Sequence, residues 1–187
     1  MQHIFQNLVQ WMSRPEHGFS AASEEEPFIF GARRPGFPFK RVSATLVDTW
    51  ISFMRGQGIA RVVCLLPEKQ LAAYDDLPGA YRRAFGDQNV LWVPIDDFHL
   101  AEETQLIDQI LPFLAEADRQ QTKAVVHCSG GVGRTGHVLA AWLVSYRGMS
   151  NEEAIAAVKK QGRNARESRD PRLDTLLDRC RSANIPG

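Results

Sequence analysis

The residues His127-Cys128-Ser129-Gly130-Gly131-Val132-Gly133-Arg134-Thr135-Gly136 put a thiol, a guanidinium and a hydroxyl around one glycine-rich turn. Five residues separate Cys128 from Arg134, and three of them are glycine. Gly130, Gly131 and Gly133 accept positive φ, so the backbone N–H groups of residues 129–133 can point inward around one centre. Such a cradle holds a tetrahedral dianion, and it favours the nucleophilic thiolate form of a thiol at its floor. Arg134 offers a planar fork of donors suited to two phosphoryl oxygens at once. The Thr135 hydroxyl can hydrogen-bond the sulfur and make it a better leaving group in a second step.

The flanks say how these groups are positioned. Residues 123–126 are apolar and β-branched after Lys123 and read as a buried parallel strand. Residues 138–144 are apolar for two turns, without Gly or Pro, and read as a buried helix. The turn therefore joins a strand end to a helix start, where unpaired N–H groups and the positive end of the helix dipole add to the cradle.

The spelling His-Cys-x-x-Gly-x-x-Arg-Thr-Gly resembles the signature loop of the cysteine-dependent protein tyrosine phosphatases. The chain's small size is similar to their dual-specificity branch, including its compact prokaryotic members, with supporting matches over residues 28–180. The resemblance implies further roles. Pro94-Ile95-Asp96-Asp97 resembles the family's general-acid loop and aligns Asp97, 31 residues before Cys128, with the catalytic acid; Asp96 is the alternative. His99 follows on that loop. Glu68, just past a strand end, takes the place of a carboxylate that pins the loop arginine, or else is an exposed loop residue. Arg163 matches an arginine that ties the catalytic loop in place. Cys64 is a core cysteine, or the second cysteine that in some relatives forms a reversible disulfide with the nucleophile. Gln161 comes too early to match the family's water-positioning glutamine, which leaves that role unassigned.

At 187 residues, with 44% hydrophobic residues, the chain suits one soluble globular domain. Its formal net charge of zero gives no support for nucleic acid or anionic lipid as a partner. Cys64, Cys128 and Cys180 form neither a disulfide framework nor a metal-binding pattern, and a nucleophilic thiolate needs a reducing compartment. With no membrane-length apolar run and no signal-peptide pattern at the start, the expectation is a cytoplasmic, monomeric enzyme.

The single domain is expected over residues 1–187, with an amphipathic helix at 2–12 and a polar loop to Pro27 packed on it. Glu24, Glu25 and Glu26 read there as a solvated run. Phe28-Ile29-Phe30 reads as a strand leading to Arg33 and Arg34, basic residues placed to attract an anion. A helix to Gly56, a strand over 61–66, a short helix over 79–86 and a strand over 90–93 follow. A long helix over 102–119 is interrupted or kinked at Pro112. Ser150 to Glu153 is a capping box, and the last helix runs from Pro171 to Ala183. Arg166, Arg169 and Arg172 either touch substrate or are exposed.

The expected architecture is α/β, with a central, mainly parallel sheet of about four to five strands flanked by helices on both faces. The implied reaction is hydrolysis of a phosphomonoester without metal or cofactor. Cys128 attacks phosphorus while Asp97 protonates the leaving oxygen, and Asp97 then activates water. Members of the resembled superfamily that handle inositol phosphates tend to carry Lys or Arg between the cysteine and the arginine; residues 129–132 are neutral, so the resemblance implies a phosphorylated protein or peptide, most of all phosphotyrosine, over a phosphoinositide. A phosphate-binding module without turnover and a sulfurtransferase stay open as alternatives from other classes.

Overall fold

The computed structural model describes residues 15–183; the helix expected over residues 2–12 lies outside them. Among the described residues one sheet contains β1 (Ser20–Ala21), β2 (Ile29–Arg33), β3 (Ile59–Cys64), β4 (Val90–Trp92) and β5 (Lys123–Cys128), in the spatial order β1-β2-β5-β3-β4. Among the described residues only the β1–β2 pairing is antiparallel. The helices are α1 (Ala44–Gly56), α2 (Glu68–Leu71), α3 (Leu77–Phe85), α4 (Leu111–Arg119), α5 (Gly133–Arg147), α6 (Asn151–Lys160) and α7 (Leu173–Ala183).

Because side chains alternate along a strand, each central strand feeds two cores. Val62, Cys64 and Val125 pack with Trp50 and Met54 of α1 and Tyr81 of α3. Val63, Val126 and Cys128 face Leu114 of α4, Leu139 and Trp142 of α5 and Leu177 of α7. Each fully buried Val, Leu or Met side chain among these contributes about 1.5–3 kcal/mol. The Ser150 hydroxyl accepts from the Glu153 N–H while the Glu153 carboxylate accepts from the Ser150 N–H, which starts α6 as the sequence pattern predicts. Gly148, at φ 68°, ends α5 in the left-handed conformation.

Two expectations are corrected. The segment before Pro27 is not all loop, since β1 pairs with β2 there. Glu26 is not solvated: it is buried, accepting from Trp142 Nε1 at 2.9 Å and from Arg147 at 2.9 and 3.1 Å. A buried carboxylate persists only when paired in this way. Ahead of Pro112 the backbone winds as a π-helix over Gln105–Ile110, and α4 begins at Leu111, so the ring that cannot donate sits in a first turn.

Register sets the site. β5 lies between β2 and β3, with Cys128 opposite Arg33 and His127 opposite Cys64. The carboxyl ends of three parallel strands thus meet at one edge, where α/β sheets place ligands.

Candidate active site

Cys128 is the last residue of β5 and Gly133 the first of α5. Of the three loop glycines only Gly131 has positive φ, at 68°. A Cβ on it would also lie 2.5 Å from the Ala32 carbonyl oxygen, so the loop crosses β2 too closely for any side chain. Gly133 is glycine for room rather than φ: a Cβ there would run into the Glu167 carboxylate. Val132 offers no side-chain cap to α5, and the Gly133 N–H in its first turn is met by the Glu167 carboxylate.

Buried polar groups hold this loop from behind. Arg163 is buried and donates to the carbonyls of Gly131 (2.6 Å), Gly31 (2.7 Å) and Ser20 (3.2 Å) and to Ser20 Oγ (2.8 Å). Burial pushes its guanidinium down to about 10, still charged at neutral pH. Arg34 is no rim residue. It is buried, its N–H donates to the Ser129 carbonyl at 3.1 Å, and its side chain reaches Ser129 Oγ, Tyr74 and Phe39. His127 packs against Trp50 and Tyr81, and burial pushes it down to about 4. Its neutral ring sits between the Cys128 carbonyl (3.2 Å from Nδ1) and the Tyr81 hydroxyl (3.0 Å from Nε2).

The reactive groups converge in front of the loop. Thr135 Oγ1 donates to Cys128 Sγ at 3.2 Å. The buried Arg134 side chain donates to Gln70 Oε1 and the Ile95 carbonyl, each at 3.0 Å, and pairs with Asp97 at 3.1 Å. Asp96 points elsewhere and pairs with Lys69 at 2.7 Å, which holds its carboxyl below the usual range. Of the two aspartates, then, Asp97 is the one brought to Arg134. Glu68 is exposed at the start of α2, and the side chain that reaches Arg134 is Gln70, two residues on. One helical turn turns Glu68 outward and Gln70 inward, a difference the spacing alone does not carry. His99 is exposed and contacts the Asp97 carbonyl at 2.9 Å.

Arg33, Phe37, Asp97, Phe98, Cys128, Arg134 and Glu167 line a cleft of about 380 Å³, with residues 129, 130, 132 and 133 as its floor. Glu167, half-buried there, bonds the Gly133 backbone, and burial, with Asp97 nearby, pushes its carboxyl up. Nothing in the local sequence marked it among the charges of residues 159–181. His137 carries no local signal either: burial pushes it down to about 4, and it accepts from the Ala101 N–H at 3.0 Å while bonding the Gly133 backbone. It links the acid loop to the catalytic loop. Arg166 and Arg172 pair with Asp174 and Asp170, and neither they nor Arg169 line the cleft. Gln161 lies outside it as well. Cys64 faces the α1 core and Cys128 the opposite one, and burial pushes the Cys64 thiol up to about 12. It packs as a core residue, close enough to Cys128 for the two thiols to feel each other's charge.

Residues 53–174 match the family model for the dual specificity phosphatase catalytic domain. Dual specificity protein phosphatase Mpk3 of Drosophila melanogaster is 32% identical over 84 residues, 45% of this chain and 20% of that one. Dual specificity protein phosphatase OPG106 of Vaccinia virus (strain Western Reserve) is 30% identical over 67 residues, 36% of this chain and 37% of that one. The chain's matches thus span well under half the length of these curated relatives. The crystal structure of Tk-PTP in its active form superposes with a TM-score of 0.65 at 24% identity, covering 84% of this chain and 93% of that one, a likeness of fold. By the match over most of its length, and with a cysteine, an arginine and an aspartate gathered at one sheet edge, the chain belongs to the dual specificity phosphatase catalytic-domain family.

Proposed function

We propose that this chain hydrolyses phosphomonoesters of proteins through a cysteinyl-phosphate intermediate, with phosphotyrosine as the preferred substrate. The observation that carries the reading is the hydrogen bond from Thr135 to the Cys128 sulfur in the same cleft as the Arg134–Asp97 pair. Cys128 Sγ attacks phosphorus and the ester oxygen leaves with a proton from Asp97. Arg134 releases Asp97 to the leaving group and turns its donors to the equatorial oxygens, whose charge the loop N–H groups share. In the second step Asp97, now ionised, takes a proton from water as it attacks phosphorus. The S–P bond breaks, and Thr135 stabilises the departing thiolate.

Phe37 and Phe98 support the aryl ester. Both line the cleft and are exposed at 37% and 64%, so an incoming phenyl ring has apolar surface to cover. The neutral residues 129–132 leave the floor to a single phosphoryl group. Such a thiolate works in a reducing compartment such as the cytoplasm; among the described residues no helix is long and apolar enough to cross a membrane. The test is a rate comparison over p-nitrophenyl phosphate, phosphotyrosyl and phosphoseryl peptides and thiosulfate, with and without vanadate and EDTA. Vanadate-sensitive, EDTA-insensitive release of phosphate, fastest from phosphotyrosine, is expected. Sulfur transfer from thiosulfate with no phosphate release would overturn the reading.

A further inference from the structure

The loop that carries Asp97 leaves the core at Ile95 and returns to it at Leu100 and Ala101, all three buried, with residues 96–99 exposed between them. Side chains from two other elements close its base. Arg134 donates to the Ile95 carbonyl at 3.0 Å on the outgoing stem, and His137 Nε2 accepts from the Ala101 N–H at 3.0 Å on the returning one. These two residues stand three positions apart on α5, a spacing that puts them on one face of the helix. Half-buried Gln105, the first residue of the π-helix, then spans the stems. Its amide nitrogen donates to the Pro94 carbonyl at 3.1 Å, and its oxygen accepts from the Glu102 N–H at 2.9 Å. Residues 94–102 thus form an Ω-loop whose ends are bridged. Where the tip can reach is set at that base.

His137 opens the apolar run of α5, where Val138 to Val144 are all buried. A leucine in its place would pack there without the cost of taking a polar ring out of water. What the imidazole supplies instead is one acceptor and one donor in fixed directions. With Nε2 accepting from Ala101, Nδ1 carries the proton and bonds the Gly133 backbone one turn earlier. Burial pushes the ring down to about 4, so this tautomer holds at neutral pH. Gly133 ends the catalytic loop, and a single ring therefore spaces that loop from the one bearing the acid. We propose, resting on the phosphatase reading above, that His137 is a positioning residue for proton transfer: with Gln105 it clasps the base of the acid loop and so sets where Asp97 meets the leaving oxygen. Neither side chain lines the cleft, so both act through Asp97 and not on the phosphoryl group.

The test reads how strongly the rate depends on the leaving group in the full chain. Values of kcat/KM are compared for p-nitrophenyl phosphate, whose phenoxide departs with less help, and phenyl phosphate, whose phenoxide needs the proton more. His137→Leu keeps the bulk and removes the acceptor, and the ratio of the first value to the second should rise about tenfold. His137→Gln, which restores an acceptor near the Nε2 position, should hold that ratio within about twofold of wild type. Added to Asp97→Ala, His137→Leu should leave the ratio where Asp97→Ala alone puts it, since the group it positions is gone. Equal losses with both esters, a glutamine variant no better than the leucine one, or a full further rise on top of Asp97→Ala would overturn the assignment. Should His137→Leu not fold, Gln105→Ala decides: a ratio raised several-fold supports the clasp, and an unchanged one overturns it. If the wild-type chain hydrolyses neither ester, the phosphatase reading fails, and hydrogen exchange over residues 94–102 still reads the clasp. Faster exchange there in Gln105→Ala than in wild type supports it, and equal exchange overturns it.

Discussion

From Cys128 to Arg134 the loop is buried or half-buried throughout, whereas Asp96, Asp97, Phe98 and His99 are all exposed. Arg163 and Arg34 bond the first loop from behind with buried guanidinium groups, while Asp97 is held by Arg134 and Asp96 by a surface lysine. Phe98 even takes φ 60°, a left-handed conformation that costs a non-glycine residue about 1 kcal/mol or more. The half of the site that would bind phosphate is held by buried contacts, and the half that would move a proton stands at the surface on ion pairs. Preorganised donors stabilise developing charge without reorganisation, while a proton donor must follow leaving groups of different shape.

The largest effect separates the two halves by chemistry. Cys128→Ser should cut kcat by at least about 10⁴-fold while phosphopeptide binding survives, since the cradle remains. Steady-state rates and calorimetry check it. On the exposed side, Asp97→Ala should lower kcat by about 10²–10⁴-fold and Asp96→Ala should change it by only a few-fold. Equal losses in the two variants would erase the distinction between the neighbouring carboxylates.

Arg163→Met breaks the fixed half by another route. It takes the side-chain donor from the Gly131 carbonyl, at about 1–3 kcal/mol for a buried group left unpaired, and a second donor from the Gly31 and Ser20 carbonyls, which face each other across the β1–β2 pair. Thermal unfolding should shift down by about 5–10 °C. The same substitution at exposed Arg169 should leave the midpoint within about 1 °C.

The pH dependence of stability sharpens the comparison further. Burial pushes both His127 and His137 down to about 4, while in the unfolded chain each protonates near 6.5. Between those values the unfolded state binds more protons, so stability rises with pH. Their contribution is complete above about pH 6.5 and is lost as pH falls toward 4, by up to about 3 kcal/mol for each ring. Urea unfolding at a series of pH values should show that slope, and His137→Gln should remove about half of it.

The fixed half was also the more legible in sequence. Loop geometry is local, and a strand, a glycine turn and a helix start within 20 residues declare their own positions. The sheet and most helix limits follow from period-2 and period-3.6 patterning in the same way. What escaped depended on contacts between distant segments. Gln70 rather than Glu68 reaches Arg134 because of where one helical turn points. Glu167 meets Gly133 from a segment with no regular period, and Glu26 is buried only because Trp142 and Arg147, more than 110 residues away, supply its donors. A residue's type shows what it can bond, but not which partner the fold will bring to it.

The central claim is that Cys128 carries the phosphoryl group between two steps. Rapid acid quench of the full chain during turnover of a phosphotyrosyl peptide, followed by peptide mass spectrometry, tests it directly. The account predicts phosphate bound to the peptide containing Cys128, accumulating further in Asp97→Ala with a good leaving group such as p-nitrophenol. Steady turnover with no phosphate on that peptide, or with phosphate on another residue, would contradict it.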